Sequence, residues 1–405
     1  MSSEFVPNAL SAAGPVGARG RNDRPRFAVV APYLPCPADS GGRIRIAALG
    51  RGLARRGEVE LFARAWPVEF LGSSSRRDEA LAHCARWQTF SRDLPSGLPG
   101  WDPWRARDAT PRVLLRALRA RHDARPFDAV VACHAYAAAA LRCAPGALLV
   151  LDEHNVESRY ARDVLRAPLR EWGAMRRFER AAWRGADLVT CVRGDDVALV
   201  RRHTRAAVAL VPNGVELDAL AWRPPSRREG REVIFVGAMS HGPNVEAAVF
   251  LAREVLPRLR VEHPDARLLL CGRAPDAAVR ALAGEGVTVT GTVDRTAPFL
   301  DRASVFANAL RAGEGTSLKV LEAAAAGLPL VSTPEGARGF ELRDGDSLLV
   351  ARSADEFVRA IASVWRDPEA ADARAQRARE VASAHRWSHI ADDFAGRVCA
   401  LLGAA

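Results

Sequence analysis

The sequence predicts an α/β protein of two Rossmann-like, doubly wound domains facing a central cleft. Three observations carry this expectation. Short apolar runs of strand length alternate with helix-period segments along most of the chain, which implies parallel sheets joined by right-handed crossovers. The rhythm breaks near 213–228, where Pro-Asn-Gly and then Pro224-Pro225 sit in a polar run, the composition of a linker. Finally, 405 residues with 48% apolar and 26% charged side chains are enough for two globular domains of ordinary size.

The elements follow in order. Residues 26–32 form a continuous apolar run of strand length, and 43–56 follows with helical spacing. Strands are expected next at 59–63, 129–133, 148–152 and 188–192, with helices between them. Beyond the linker, strands are expected at 233–236, 266–270, 287–290, 305–309 and 328–331, and 387–402 reads as an amphipathic helix. Residues 1–25 are rich in Ser, Ala, Gly, Pro and Arg with no apolar core, so they read as a disordered tail and not as a signal peptide. The longest apolar stretch, 135–151, is broken by Arg142, Pro145 and Gly146 and reads as helix, turn and strand, too interrupted to cross a membrane. The expected domains are therefore 26–215 and 229–385, joined by a linker at 216–228 and followed by a terminal helix at 386–405.

Seven cysteines (36, 84, 133, 143, 191, 271 and 399) are scattered without a CxxC pair. An odd, dispersed set reads as reduced thiols in the cytoplasm, neither a disulfide frame nor a metal site. The formal charge of +10 is unevenly placed: residues 1–220 hold 34 basic and 24 acidic side chains, whereas 221–405 hold 24 of each. The first half is thereby directed toward an anionic partner, with an anionic membrane surface favoured over nucleic acid. Solubility is the plain alternative. The arginines are dispersed and no recognised nucleic-acid motif is present, so DNA and RNA are set aside.

Lys319 is the only lysine among 58 basic residues. Where arginine serves almost everywhere else, the exception points to a compact ammonium contacting phosphate as a point charge. Gly313 to Ser317 is small and polar, Leu318 to Ala326 reads as a buried helix, and Gly327 stops it. A loop feeding a helix N-terminus makes an anion site of Gly315, Thr316, Ser317 and Leu318, with Lys319 in the first turn. Glu314 and Glu322 bracket this segment, and carboxylates accept hydroxyl hydrogen bonds of the kind a sugar and a ribose offer. Gly41 and Gly42, after the first strand, would let backbone approach a phosphate closely.

The run Glu314 to Glu322, with the Ala-Ala-Ala-Ala-Gly-Leu-Pro-Leu-Val-Ser-Thr that follows it, resembles the donor-site signature of retaining GT-B glycosyltransferases of the family-4 type. Gly41-Gly42, Asp152-Glu-His-Asn-Val-Glu-Ser158, Val211-Pro-Asn-Gly-Val215, Phe235-Val-Gly-Ala-Met239 with Pro243-Asn244, and Leu269-Leu-Cys-Gly-Arg273 agree in order over roughly 26–390. The finer likeness is to sugar transferases of bacterial exopolysaccharide clusters.

The resemblance implies a GT-B fold whose terminal helix packs back on the first domain, and a nucleoside-diphosphate-sugar donor, UDP-linked by expectation. It implies transfer with retention to the hydroxyl of a glycan or lipid-linked acceptor, without a metal or other cofactor. His154, Glu314 and Lys319 become the expected catalytic residues, His154 meeting the transferred sugar, while Gly41, Gly42, Gly237, Arg273, Gly315, Thr316, Ser317, Leu318 and Glu322 bind the donor. His134 is the rival histidine. One departure stands out: many relatives place basic residues just after the glycine that corresponds to Gly237, and no arginine or lysine occurs between Gly237 and Asn244. The phosphate charge is then expected to fall on Lys319, the helix N-terminus and Arg273. A same-fold epimerase, a non-catalytic nucleotide-sugar-binding protein and a pyridoxal-phosphate phosphorylase are the alternatives, the last disfavoured by chain length. The expected location is cytoplasmic, with peripheral attachment at the inner face of the membrane as its companion.

Overall fold

The computed structural model describes residues 24–65, 74–91, 109–313 and 316–403. Most of the expected tail at 1–25, and both Glu314 and Gly315, lie outside the described residues. The described chain forms two wholly parallel sheets flanked by helices, as the α/β expectation requires.

The first sheet holds β1 (Arg26–Ala31), β2 (Glu58–Arg64), β3 (Arg86–Phe90), β4 (Ala129–Cys133), β5 (Leu148–Glu153), β6 (Leu188–Cys191) and β7 (Ala207–Leu210), in the order β3-β2-β1-β4-β5-β6-β7. The second holds β8 (Glu232–Val236), β9 (Arg267–Cys271), β10 (Val287–Val289), β11 (Val305–Asn308), β12 (Leu330–Ser332) and β13 (Leu349–Val350), in the order β10-β9-β8-β11-β12-β13. In each, the first strand lies inside and the order reverses beside it, between β1 and β4 and between β8 and β11. Loops beyond the carboxyl ends at such a reversal splay apart and leave a crevice for ligands.

Sequence reading misses β3, β7 and β13. β3 and β7 are half-buried edge strands; β3 carries arginine and glutamine in place of a continuous apolar run, β7 is a run of only four apolar residues, and β13 has only two residues. The strand expected at 328–331 begins at Leu330; Pro329 has no N–H to give to a ladder, although its carbonyl accepts from Phe306 N at 3.0 Å. The helix expected from 43 begins at Gly41, so the glycine pair forms its first turn and not the loop before it.

The terminal helix Trp387–Gly403 buries Trp387, Ile390, Phe394 and Val398 in the same core as Phe27, Leu53 and Leu61. Each such side chain contributes about 1.5–3 kcal/mol by leaving water. Arg55 Nε reaches Asp392 Oδ1 at 2.8 Å on the rim of this contact. Val215 and residues 385–387 exchange backbone hydrogen bonds, Val215 N to His385 O at 2.8 Å and Trp387 N to Val215 O at 3.2 Å. The chain thus returns to the first sheet where it first left it.

Candidate active site

On the side of the second sheet, the site is built on the helix Leu318–Ala325, which Ser317 precedes and Gly327, at φ +80°, follows. Val320, Leu321 and Ala323–Ala325 are buried, which fixes the helix and turns its N-terminal amides toward the crevice. Lys319 Nζ donates to Asn244 Oδ1 at 2.7 Å and lies 4.5 Å from the centre of the Phe235 ring. Burial pushes the Lys319 ammonium down to about 7, partly opposed by Glu322. Burial likewise pushes the Glu322 carboxyl up to about 7, with Lys319 opposing. Both side chains keep a partial opening to solvent. Asn244 belongs to a second helix, Gly242–Phe250, whose first turn therefore also faces the ammonium. A Cβ on Gly237 would lie 2.9 Å from both Lys319 Nζ and Asn244 Nδ2, so this glycine leaves room for the pair.

On the side of the first sheet, His154 follows β5 and is buried, with Nε2 3.1 Å from Asp152 Oδ2. Burial pushes its imidazole down to about 4 despite the pull of Asp152, so the ring is neutral at pH 7. A Cβ on Gly42 would clash with the Tyr33 hydroxyl and lie 3.3 Å from His154 Nδ1. A Cβ on Gly41 would lie 3.2 Å from Leu318 Cδ1. The glycine pair therefore brings the N-terminus of Gly41–Arg56 against both His154 and the first residue of the Lys319 helix. His134, the rival histidine, stands beside His154 with ring centres 4.8 Å apart, and its Nε2 is 3.3 Å from Glu157 Oε1.

A buried ion pair braces the two sides. Arg45 grips Asp152 with Nε to Oδ2 at 2.9 Å and Nη2 to Oδ1 at 2.6 Å. Thr190 Oγ1 also donates to Oδ1, at 2.6 Å. Burial alone would raise the Asp152 carboxyl, but the charge of Arg45, then bonding with His154 and Arg45, holds it well below the usual carboxylate range. The other arm of Arg45 reaches Asn213 Oδ1 at 3.1 Å, and Asn213 Nδ2 donates to Thr316 Oγ1 at 2.8 Å. His154 is thereby linked through Asp152, Arg45 and Asn213 to the loop before the Lys319 helix.

Of the residues expected from the sequence, Gly41, Gly42, His154, Gly237, Thr316, Leu318 and Lys319 meet in this one region. Ser317 Oγ accepts from the buried Asn308 at 3.4 Å. Arg273 sits farther out, its Nε 3.8 Å from Asp39 Oδ2 in the loop after β1. Reading the sequence for arginine and lysine alone gives His241 no role, and Asn244 only a place in the family resemblance. His241, which precedes helix Gly242–Phe250, is lowered by burial and then by the nearby charge of Lys319. Arg45 was hidden among 57 other basic residues; its one distinguishing mark was a charge amid Ile44, Ile46 and Ala47.

Comparison with known proteins places this site in a family. Residues 40–219 match the family described as Glycosyltransferase Family 4, and residues 230–367 match Glycosyl transferases group 1. The phosphatidyl-myo-inositol mannosyltransferase of Mycolicibacterium smegmatis is 30% identical over 190 residues, 44% of this chain and 48% of that protein. The chain spans about half the length of the curated relatives it matches. Among solved structures, sucrose-phosphate synthase from Thermosynechococcus elongatus superposes with a TM-score of 0.71 at 19% identity, over 94% of this chain and 100% of the other. HepE of Anabaena, in complex with UDP and glucose, gives 0.66 at 15% identity, over 93% and 99%. At these identities the two structures speak for the fold. With both halves matched in order and the two-sheet architecture shared, the chain belongs to the GT-B glycosyltransferases of the family-4 type.

Proposed function

We propose that this protein transfers a sugar from a nucleoside-diphosphate sugar, UDP-linked, to an acceptor hydroxyl with retention at the anomeric carbon. The single observation that carries the proposal is the convergence of the sole lysine, two helix N-termini and a neutral buried histidine on one crevice. Lys319 and the amides of Leu318–Ala325 and Gly242–Phe250 offer positive charge where a diphosphate needs it. Glu322 is assigned to the ribose and Glu314 to the transferred sugar. The acceptor oxygen attacks from the face that the diphosphate leaves; its proton passes to that diphosphate as the glycosidic bond breaks. No protein nucleophile and no metal takes part in this scheme. The protein contributes positioning and stabilisation of charge on the leaving group.

HepE, with UDP and glucose bound, supports the donor class. The mannosyltransferase relative, named for phosphatidyl-myo-inositol, supports a lipid-linked or cell-surface glycan acceptor, and we assign the protein to exopolysaccharide or glycolipid synthesis on that ground. Thermal-shift screening over a panel of nucleotide sugars tests the donor, and proton NMR of the product anomer tests retention. Stabilisation by no nucleoside diphosphate would end the proposal. Release of an altered free sugar without an acceptor would replace it with epimerase chemistry, and inversion would remove the front-face scheme.

A further inference from the structure

The connection that carries His154 continues through the short helix Glu157–Arg159 and the π-helical segment Tyr160–Val164 to the helix Leu169–Arg184. Its inner face is firmly held. Glu179, fully buried, accepts hydrogen bonds from Glu157 N and, at 2.9 Å, from Ser158 N, while Met175, Ala182 and Trp183 are buried beside it. The bend before the helix is closed by Leu165 N to Tyr160 O at 3.1 Å and Ala167 N to Ala161 O at 2.8 Å. On this fixed frame Leu169 is 71% exposed and Leu165 42% exposed. They are two of five exposed large hydrophobic residues among the described residues, and they lie four positions apart.

The surrounding charge is one-sided. Residues 159–184 hold eight arginines and three acids, and one of those acids, Glu179, faces inward. Arg166, Arg170, Arg176, Arg177 and Arg184 are all exposed. This short stretch accounts for half of the +10 surplus carried by residues 1–220. Two exposed leucines with exposed arginines next to them in the chain, Arg166 and Arg170, suit an interface where leucine enters the acyl boundary and guanidinium groups meet lipid phosphate.

We propose that residues 159–184 form a docking surface for an anionic bilayer, with Leu165 and Leu169 inserting and the flanking arginines binding lipid headgroups. The same connection begins at His154, so a membrane at its outer end lies one short segment from the transfer site. This deepens the glycosyltransferase reading by placing a lipid-linked acceptor, but its test does not depend on turnover. The full chain is sedimented with vesicles containing about 30% phosphatidylglycerol in phosphatidylcholine, without donor or acceptor, over a range of salt. Attraction of exposed charge is screened over about 8 Å at physiological ionic strength, so wild-type binding should fall steeply as salt rises and be weak on phosphatidylcholine alone.

Leu165→Asp with Leu169→Asp, and separately Arg166→Gln with Arg170→Gln, should each reduce vesicle binding about tenfold. Circular dichroism should be unchanged, as should turnover of a soluble acceptor. The proposal is overturned by wild-type binding that ignores salt or lipid charge, by no wild-type binding, or by either double variant binding like wild type. A change in oligomeric state on sedimentation velocity without a change in vesicle binding would assign the surface to a second copy of the chain instead. Loss of transferase activity in every protein with vesicle binding intact would count against the enzymatic reading alone.

Discussion

Replacing Arg45 by methionine should cost about 3–5 kcal/mol of stability at pH 7, because it strands a buried carboxylate. Arg45 is 1% exposed and Asp152 0% exposed, and the fork at 2.9 and 2.6 Å leaves only Thr190 and His154 beside the carboxylate when it is gone. Replacing both partners, Arg45→Met with Asp152→Leu, removes the unpaired charge and should recover most of the loss. The sign with pH follows from the depressed Asp152 value. A carboxyl lowered on folding adds stability above its unfolded value of about 3.9 and loses it as pH falls toward the folded value. The gap between wild type and Arg45→Met should therefore be widest near neutrality and narrow below about pH 4. Urea unfolding followed by circular dichroism measures the gap, and hydrogen exchange of the β4 and β5 amides locates it. A gap constant from pH 7 to 3, or a double variant no more stable than Arg45→Met, would refute the ion-pair argument.

The other predictions concern ligand binding. Lys319→Ala should weaken UDP binding more than Lys319→Arg does by calorimetry; equal binding by all three proteins removes Lys319 from the diphosphate site. Glu322→Ala should lose affinity for free UDP, whereas Glu314→Ala should mainly lose turnover, and the reverse pattern would exchange their assignments. With the Lys319 ammonium pushed down to about 7 and the Glu322 carboxyl up to about 7, UDP affinity should peak near pH 7. It should fall on the alkaline side as Lys319 loses its proton and on the acid side as Glu322 gains one, and Lys319→Arg should abolish the alkaline limb. Gly42→Ala should cut turnover about tenfold or more while leaving UDP affinity within a few-fold, since the new methyl meets Tyr33 and His154 and a small misplacement of a reacting group costs rate. Unchanged turnover would show that the crevice yields there.

The interior of the fold was legible because buried parallel strands are continuous apolar runs: Ala129–Cys133 reads from the sequence with its observed bounds. The edge strand Arg86–Phe90 was not, since it pairs on one side only and carries arginine and glutamine in place of a continuous apolar run. The loop, lysine and helix of the candidate donor side stand out in the sequence because they lie within ten residues of one another. The bond that Asn244 makes to Lys319 escaped because the two are 75 positions apart. Arg45 escaped for the same reason, being 107 residues from Asp152 and 168 from Asn213. A sequence window reveals a group whose neighbours are its own chain; it does not reveal one whose environment is made by tertiary folding.

That distinction bears on how the crevice is held in shape. His154 follows a strand of the first sheet and Lys319 stands on a helix packed in the second half, and no local pattern fixes the distance between them. What fixes it is a run of contacts that starts with His154 packed 3.1 Å from Asp152 and continues through hydrogen bonds from Arg45 to Asp152, Arg45 to Asn213 and Asn213 to Thr316, each between buried or half-buried atoms that have little water to turn to. A guanidinium suits the centre of such a run, because its planar fork binds a carboxylate with two donors while a third N–H reaches elsewhere. An ammonium at that place would keep the charge and lose the geometry. The sequence thus uses its two kinds of cation for different work: arginine where direction sets the spacing of the two sheets, and its one lysine where a compact charge faces the crevice.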